Sequence, residues 1–454
     1  MTAQRSGFYV WWIAAVAALG GLLFGYDWVV IGGAKPFYEA HFGIVLPQVQ
    51  GWAMSCALVG CFAGAMLSGV LSERFGRKPA LLAAALVFTV SSIGTGMAGS
   101  FASFVSWRIC GGLAIGLASS LSPMYIAEIS PAALRGRLVC LNELTIVIGI
   151  LMAQITNWCI AGHGGADVMG WNATVGWRWM FGATAVPAAV FLVGMLFVPE
   201  SPRWLALRGR DAEARLTLER LGGSENAAVV LGEIEESVRG AQKGGELKML
   251  LGRRLRGVML LGIGLAVLQQ WCGINVIFNY AHDIFSAAGY DLSAILFNIV
   301  VTGVTMLVFT FVAIATVDRQ GRRVLMLSGC AGLVVVYVTL GYFLRIHSRG
   351  VHMLALVVAA LACYAMTLAP VTWVVLSEVF PSRVRGTAMA IATASLWAAC
   401  FVLTYTFPLL EAVLGTAGTF WVYAAVCALG FVCVWRWLPE TKGKTLEEIE
   451  GFWG

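Results

Sequence analysis

Twelve apolar segments, each long enough to cross a lipid bilayer, restrict the fold of this chain more than any other feature. A bilayer core needs about 20 apolar residues per helix, and an open strand leaves its backbone hydrogen bonds unsatisfied in lipid. Only 12% of the 454 residues are charged, whereas a soluble protein carries about 25% charged residues. The sequence therefore predicts an all-α membrane protein with twelve transmembrane helices. The segments begin approximately at Phe8, Gln48, Pro79, Phe104, Arg137, Gly176, Leu255, Leu292, Val324, Val351, Gly386 and Thr416.

The distribution of Lys and Arg between the loops predicts how the chain crosses the membrane. The loops near Ser100, Gly164 and Gly289 are nearly free of these cations, whereas the alternate loops are rich in them. Because cation-rich loops remain in the cytoplasm, we expect a multi-pass protein of the cell (inner) membrane with both termini in the cytoplasm. Arg345 and Arg349 lie on the other side and do not follow this rule. The cation-rich loops contain Arg74, Arg77, Lys78, Arg135, Arg137, Arg319, Arg322, Arg323, Arg383 and Arg385.

Three sequence motifs occur twice, at separations of 240 to 250 residues. They predict two parallel halves of six spans each, which is the layout of the major facilitator superfamily. The predicted organisation is an N-terminal six-helix bundle (1–198), a cytoplasmic linker with short helices (199–254), a C-terminal six-helix bundle (255–440) and a cytoplasmic C-terminal helix (441–454). The paired motifs are SERFGRK at 72–78 and VDRQGRR at 317–323, AEISPAALRG at 127–136 and SEVFPSRVRG at 377–386, and PESP at 199–202 and PETK at 439–442.

The repeated motifs place charges of both signs at the cytoplasmic ends of the spans. Gly76 and Gly321 permit tight turns there, and the neighbouring arginines can pair with the glutamates of the other two motifs. We expect these ion pairs to form when the cytoplasmic side closes and to break when it opens. The alternative is that the cations only set the topology. The residues expected in gating salt bridges are Glu73, Arg74, Arg77, Glu128, Arg135, Glu200, Asp318, Arg319, Arg322, Glu378, Arg385 and Glu440.

Four carboxamides, Gln269, Gln270, Asn275 and Asn279, interrupt the apolar segment that begins near Leu255. Such side chains are costly in the middle of a bilayer unless they face a partner or a water-filled cavity. On a straight helix, at about 100° per residue, they spread over more than half of the circumference. They can meet one ligand only if the segment bends or unwinds, and a glycine, residue 273, lies between them. The segment is therefore predicted to form one wall of a ligand-binding cavity.

These motifs resemble those of the sugar porter family of the major facilitator superfamily, and the resemblance extends along the whole chain. It rests on GLLFGYD at 21–27, the Arg-x-Gly-Arg loops, PESPRW at 199–204, QQ and GIN within 269–275, and PETKG at 439–443. The chain looks closest to the bacterial sugar:proton symporters of that family. The resemblance implies a transporter that brings a monosaccharide into the cytoplasm together with a proton.

The resemblance also assigns roles to individual residues, which stand at the positions of the family's sugar-binding residues. Carboxamides both donate hydrogen bonds to hydroxyl groups and accept them, and indole rings cover the apolar face of a pyranose. Glu143 stands where the family has a glutamine, and its alternative role is an ion pair with Arg135 or Arg137 near the cytoplasmic mouth. The implied substrate-binding residues are Phe24, Glu143, Gln154, Gln269, Gln270, Asn275, Asn279, Trp373 and Trp397.

Several positions depart from the family pattern and put glucose or xylose itself in doubt. Met306 and Leu396 replace two carboxamides of the family, and Asn279 and Ala369 are further changes. Fewer hydroxyl-binding groups favour a deoxysugar, or another orientation of an ordinary sugar. Glu143, if ionised, argues against an anionic sugar and favours a hydroxyl-rich or amine-bearing ligand.

Asp27 and Arg108 are charged residues inside otherwise apolar spans. Each lies about six residues from the outer end of its span, or roughly 9 Å at 1.5 Å per residue, so the two side chains can meet. The resemblance implies that they couple transport to the proton, because a carboxylate that gains a proton can leave its arginine. The alternative is a permanent structural ion pair. A third family carboxylate falls at Thr184, which leaves the proton route incomplete.

The sequence therefore predicts a proton symporter that works by alternating access, with the sugar site at the interface of the two halves. The alternatives are a sugar uniporter, a superfamily antiporter of another small metabolite, and a sugar sensor that does not transport. An enzyme is not expected, because the chain has no nucleophile–base set, metal-ligand spacing or phosphate-binding loop. We expect a monomer in the lipid bilayer that takes a monosaccharide and a proton, with no cofactor, metal or nucleic acid.

Overall fold

The computed structural model describes residues 3–131, 134–164, 168–222, 227–228, 231–232, 250, 252–381 and 384–442, and every regular element in these ranges is a helix. The helices up to residue 197 are α1 (Ala3–Phe42), α2 (Pro47–Phe75), α3 (Arg77–Gly96), α4 (Phe101–Ile129), α5 (Arg135–Gly162), α6 (Val168–Trp171), α7 (Trp177–Gly182) and α8 (Ala185–Phe197). A π-helical turn at Asn172–Gly176 joins α6 to α7, so the sixth span consists of several short pieces.

The linker and the second half of the chain are helical as well. Two short helices follow the sixth span, α9 (Pro202–Leu207) and α10 (Asp211–Gly222). The remaining helices are α11 (Arg253–Trp271), α12 (Ile274–Asn279), α13 (Ala281–Ala287), α14 (Leu292–Gln320), α15 (Arg322–Arg345), α16 (Val351–Met366), α17 (Leu368–Val379) and α18 (Arg385–Trp437). The helix predicted for 441–454 falls almost entirely outside the described residues.

The expected twelve spans are present, although the last two follow each other without an intervening loop and meet at a kink. In the described part of the chain, eleven helical segments are long and apolar enough to cross a membrane, and the last of them, Thr387–Trp437, has 51 residues. This is about twice the length that a bilayer requires. Gly415 has φ 70° and ψ 166°, which are not helical angles, so α18 contains two spans that meet at this residue.

The chain packs into two compact units. The first consists of Met1–Trp28, Val59–Ala153 and Arg178–Lys243, and the second of Val29–Leu58, Gln154–Trp177 and Gly244–Gly454. The second unit therefore includes the C-terminal part of α1, the beginning of α2 and the end of α5.

Small residues bring helices of the first unit into backbone contact. A Cβ atom added to Gly60 of α2 would lie 2.1 Å from the carbonyl oxygen of Ile109 in α4, and one added to Gly116 of α4 would lie 2.1 Å from that of Cys61. Glycine at such positions lets transmembrane helices approach closely and gain van der Waals contacts that lipid tails cannot supply.

Candidate functional site

The seventh span is broken at Gly273, as the spacing of its carboxamides predicts. Helix α11 ends at Trp271, Gly273 adopts the left-handed conformation with φ 84°, and α12 begins at Ile274. A Cβ atom at Gly273 would lie 2.8 Å from the ring of Tyr423. Any other residue here would be strained in its backbone and would also collide with the tyrosine. The break turns the side chains on its two sides towards each other.

The carboxamides beside the break form one connected group. Gln270 accepts a hydrogen bond from Nδ2 of Asn275 across the break, and its own Nε2 lies 3.5 Å from Oε1 of Gln269. Gln269 in turn donates to the backbone carbonyl of Ala369 in α17, at 3.1 Å. All three carboxamides are buried. The second unit thus holds a preorganised set of donors and acceptors that are shielded from bulk water.

Asn279 ends α12 one turn further along and is also buried. Its Oδ1 has no hydrogen-bond partner among the residues that the structure describes. A buried acceptor without a partner is costly, so this oxygen is a natural acceptor for a ligand hydroxyl. The sulfur of Cys400 lies 3.8 Å from Nδ2 of Asn275 and marks the side of the group that faces α18.

The tenth span is broken as well, which the sequence analysis did not predict. Thr367, with φ −125° and ψ −86°, separates α16 from α17. The signal was Pro370, because proline removes a helical hydrogen bond and crowds the carbonyl four residues earlier. Trp373 follows in α17 and is half-buried, whereas Trp397 in α18 is buried. Both indoles belong to the same unit as the carboxamide group.

Met306 of α14 and Leu396 of α18 are buried in the second unit, at 6% and 7% exposure. Both positions therefore present apolar surface in the interior of the protein. Neither side chain can form the strong hydrogen bonds that a sugar hydroxyl makes with a carboxamide.

Helix α5 carries Glu143 and Gln154 three turns apart, on one face. Gln154 is buried and donates to Oγ1 of Thr302 in α14, at 3.2 Å. Glu143 is exposed, and it forms no ion pair with any residue that the structure describes, so the alternative pairing with Arg135 or Arg137 is not observed. Phe24 and Glu143 belong to the first unit, whereas the other seven implied sugar-binding residues belong to the second.

The predicted proximity of Asp27 and Arg108 is confirmed. Nη1 of Arg108 in α4 donates a hydrogen bond to Oδ1 of Asp27 in α1, and the two residues are 4% and 6% exposed. The guanidinium carbon of Arg108 also lies 5.3 Å from the centre of the Phe181 ring. A buried charge of this kind is tolerated because its partner is in contact with it.

Arg77, the first residue of α3, and Glu128 of α4 form the first of the expected cytoplasmic ion pairs. Nε and Nη2 of Arg77 each lie 2.9 Å from a carboxylate oxygen of Glu128, which gives the two-point geometry of a strong arginine–carboxylate pair. Ser201 donates to the same carboxylate at 2.5 Å. The structure therefore brings together all three motifs of the first half.

Glu200 is close to this pair but interacts differently from the expectation. Its carboxylate accepts hydrogen bonds from the backbone N–H groups of Arg77 and Lys78, at 3.0 and 3.2 Å. The predicted ion pair with an arginine side chain is therefore wrong in detail, since Glu200 caps the N-terminus of α3. Gly76 has φ 105°, and a Cβ atom on it would lie 2.2 Å from Oε2 of Glu200. Glycine is required both by the turn and by the carboxylate.

The second half repeats this arrangement. Nη2 of Arg322 lies 3.2 Å from Glu378, and Thr441 donates to the same glutamate at 2.6 Å. Glu440 accepts from the backbone N–H of Arg322 at 3.0 Å and so caps α15. Gly321 has φ 91°, like its counterpart in the first half. The internal sequence repeat therefore corresponds to a repeated three-dimensional structure.

Other residues expected in the gating salt bridges are not placed in ion pairs. The side chains of Glu73, Arg74 and Arg135 are exposed and form no ion pair with the residues that the structure describes, so the expectation for these three stays a prediction. The backbone carbonyl of Glu73 instead accepts from Nε1 of Trp204, at 2.9 Å. The side chains of Asp318, Arg319 and Arg385 lie outside the described residues.

One charged group was missed by the sequence analysis. Lys35 in α1 is buried and forms an ion pair with Asp283 in α13. The signal was present, because a lysine and a glutamate four residues apart, Lys35 and Glu39, follow the first apolar segment. Nothing in the sequence pairs this lysine with a residue 248 positions away.

Comparison with known proteins gives consistent results over the full chain. The family model described as "Sugar (and other) transporter" matches residues 13–453. The chain is 37% identical to the D-xylose-proton symporter of Escherichia coli (strain K12), over 100% of this chain and 97% of the symporter. It is 36% identical to the arabinose-proton symporter of Bacillus subtilis (strain 168), with the same coverage. The solved inward open conformation of the xylose transporter XylE from E. coli matches with a TM-score of 0.87 and 36% identity, over 98% of this chain and 100% of that chain.

Proposed function

The chain belongs to the sugar transporter family of the major facilitator superfamily, and on this premise we propose that it imports a monosaccharide together with a proton. Transport proceeds by alternating access, in which one sugar site opens first to the outside and then to the cytoplasm. The protein lies in the inner membrane as a monomer with both termini in the cytoplasm.

The sugar is held by the carboxamide group at the break of the seventh span. Gln269, Gln270 and Asn275 present amide donors and carbonyl acceptors to vicinal hydroxyls, and the free Oδ1 of Asn279 accepts from one more. Indole rings such as that of Trp373 pack against the apolar face of the sugar ring. Because these groups are already buried and mutually bonded, little side-chain freedom is lost when the sugar binds.

Coupling to the proton rests on one observation, the buried ion pair of Asp27 and Arg108. When Asp27 takes up a proton, its charge is lost, and the attraction that holds Arg108 falls to that of a neutral hydrogen bond. The helices α1 and α4 can then rearrange around the sugar. One proton that enters down a potential of 100 mV supplies about 2.3 kcal/mol, which is enough for roughly fifty-fold accumulation.

The cytoplasmic side is closed and opened through the two repeated charge networks. Arg77 with Glu128, and Arg322 with Glu378, connect loops to helix ends within their own units. Each network joins distant chain segments through interactions that either form together or break together, as a two-state switch requires.

The apolar walls narrow the substrate class. Met306 and Leu396 offer no hydrogen bond to a sugar hydroxyl. The sugar therefore presents fewer hydroxyls to these two residues, as a 6-deoxyhexose does, or it binds in another orientation. Glu143, exposed and without a described ionic partner, can accept hydrogen bonds from hydroxyl or amine groups. Exclusive transport of fully hydroxylated hexoses, with no competition from 6-deoxyhexoses, would rule out the deoxysugar.

Uptake into proteoliposomes tests the proposed function directly. The panel contains pentoses, hexoses and 6-deoxyhexoses, each with and without an imposed pH gradient that is acid outside. We expect at least one sugar to enter, and to accumulate against its gradient only when the pH gradient is present. Sugar uptake of the same rate and level with and without the pH gradient would instead identify a uniporter. If no sugar enters under either condition, the proposal of a sugar transporter is wrong.

A further inference from the structure

Lys35 lies near the C-terminal end of α1 and is only 5% exposed. Its Nζ donates to both carboxylate oxygens of Asp283, at 2.9 and 2.8 Å. Asp283 lies in α13, directly after the broken seventh span. A buried ion pair therefore connects the first span to the short helices that follow the carboxamide group.

Other polar groups surround the same lysine. Oε2 of Glu39, one turn along α1, lies 3.6 Å from Nζ of Lys35, and Gln50 of α2 donates to that oxygen at 3.3 Å. The ring of Tyr280 lies 5.4 Å from the same Nζ. Lys35 is thus the cation of a cluster to which α1 and α13 contribute acids.

The backbone of α1 also rests directly on α12. A Cβ atom added to Gly32, one turn before Lys35, would lie 2.6 Å from the carbonyl oxygen of Phe278 and 2.9 Å from that of Asn279. Asn279 is the last residue of α12. The Lys35–Asp283 ion pair therefore lies where α1 packs against α12, the helix that carries Asn275 and Asn279.

We infer that Lys35 and Asp283 form an electrostatic latch that keeps the outer side of the sugar site closed. The inference rests on the proposed function, because a latch is needed only if the site opens alternately to two sides. In the closed state the pair is buried and bound at two points. In the open state Asp283 moves away with α12 and α13 and becomes hydrated.

The position of Glu39 explains how the latch can open without isolating a buried charge. Glu39 is on the same helix as Lys35, four residues away, so it stays beside the lysine when Asp283 departs. Lys35 then exchanges one carboxylate for another. A permanent structural pair has no need of this second acid, and two apolar residues of similar size would stabilise a static contact at least as well.

The latch is tested by the access of a thiol reagent to the native Cys400, which is fully buried and touches the carboxamide group. A membrane-impermeant reagent is added outside right-side-out vesicles, and the adduct at Cys400 is quantified by mass spectrometry. We expect K35E and D283K each to be labelled about tenfold faster than the parent, since each variant replaces the attraction between positions 35 and 283 by repulsion between like charges. The charge-exchanged K35E/D283K is expected to return towards the parent rate.

Two further variants test whether the faster labelling is caused by loss of the ion pair itself. K35M removes the charge with little change in length and is expected to be labelled faster, like K35E. R345E changes an exposed arginine on the same predicted side, which forms no ion pair with the described residues, and is expected to be labelled at the parent rate. The melting temperature of each variant shows whether it is folded.

Unchanged labelling in K35E and K35M would overturn the latch. Faster labelling that K35E/D283K does not reverse would also overturn it, because general damage would then be the cause. The reaction at Cys400 requires neither a sugar nor a proton gradient. The test of the latch is therefore valid even if the substrate has been assigned wrongly. If the parent takes up sugar normally and the variants are labelled at the parent rate, the latch is wrong and the proposed function is not.

Discussion

The carboxylate of Glu200 accepts a hydrogen bond of 3.0 Å from the backbone N–H of Arg77, although 123 positions separate the two residues. In the second half Glu440 makes the same contact with Arg322, also at 3.0 Å. Backbone N–H groups at the start of a helix have no partner within the helix, and the helix dipole favours a negative charge there. The glutamates of the two Pro-Glu motifs are therefore helix caps that tie the end of each six-span half to its third span.

Replacement of this cap should lower stability. We expect Glu200→Ala to destabilise the folded protein by about 1–2 kcal/mol, because the first N–H groups of α3 lose their acceptor and its charge. The measurement is the melting temperature in detergent. Glu213→Ala is the control, since its pair with Arg210 is exposed and contributes little. Equal melting temperatures for the two variants would contradict the capping role.

The two ion pairs of the repeated motifs, Arg77 with Glu128 and Arg322 with Glu378, should differ in strength. The side chains of Arg77 and Glu128 are each 8% exposed, whereas those of Arg322 and Glu378 are 14% and 23% exposed. Breaking a buried pair costs about 3–5 kcal/mol, and exposure to water reduces this penalty. We therefore expect Arg77→Ala to lower the melting temperature more than Arg322→Ala. The opposite order would show that burial does not determine the strength of these pairs.

Asp27→Asn should separate uphill transport from exchange. The variant keeps the shape of the side chain but cannot gain or lose a proton, so we expect sugar accumulation driven by a pH gradient to be abolished and counterflow to persist. Both rates are measured in proteoliposomes, with a proton uncoupler added to the parent as the control. Uphill accumulation at the parent level in the variant would show that Asp27 only stabilises Arg108.

The break in the seventh span should not tolerate a side chain. We expect Gly273→Ala to weaken sugar binding at least about tenfold, because a strained left-handed backbone costs of order 1–3 kcal/mol and the new Cβ atom meets Tyr423. Binding is measured by calorimetry on the purified protein. Gly264→Ala is a matched control in α11, where an added Cβ atom meets nothing within 4 Å. Equal affinities in the two variants would show that the break does not position the carboxamides.

The outer side should open more readily in acid. Burial lowers the pKa of His282 below 6.5, with Asp283 opposing this effect and Lys35 adding to it. The closed state thus favours the neutral imidazole. The contribution of His282 to the stability of the closed state is fully present above about pH 6.5. It is lost as the pH falls through the lowered pKa. We expect the labelling rate of Cys400 from outside, divided at each pH by the rate of a free thiol with the same reagent, to rise between neutral pH and about pH 5.5.

His282→Gln tests the origin of this acceleration. The variant keeps a polar side chain that does not titrate in this range, so its labelling rate is expected to vary less with pH than that of the parent. An identical pH profile in the two proteins would assign the effect to another titrating group.

The spans and the break of the seventh helix were predictable because their causes are local in the sequence. Apolar length defines a span whatever its neighbours are, and the carboxamides around Gly273 demand a bend for any ligand to reach them. The break at Thr367 had a local cause too, in Pro370, yet proline also occurs inside helices that remain continuous, such as α1 and α4. Only the backbone angles of Thr367 distinguish these cases.

Contacts between distant residues were predictable only where the sequence repeat, the resemblance or the equal depth of two charges in their spans pointed to them. The Asp27–Arg108 pair and the Arg77–Glu128 pair belong to this class. The capping role of Glu200 and the pair of Lys35 with Asp283 do not, because a charge in the sequence identifies neither the atom nor the helix that will meet it.

The sequence by itself thus determined that the chain is a bundle of twelve membrane helices with an internal repeat, since hydrophobicity and charge along the chain decide where lipid and water are tolerated. The tertiary structure alone decided which acid meets which base. That choice depends on the packing of helices far apart in the chain, which brought Lys35 to Asp283 and Glu200 to the start of α3, and left Glu143 without an ionic partner in the described part of the protein.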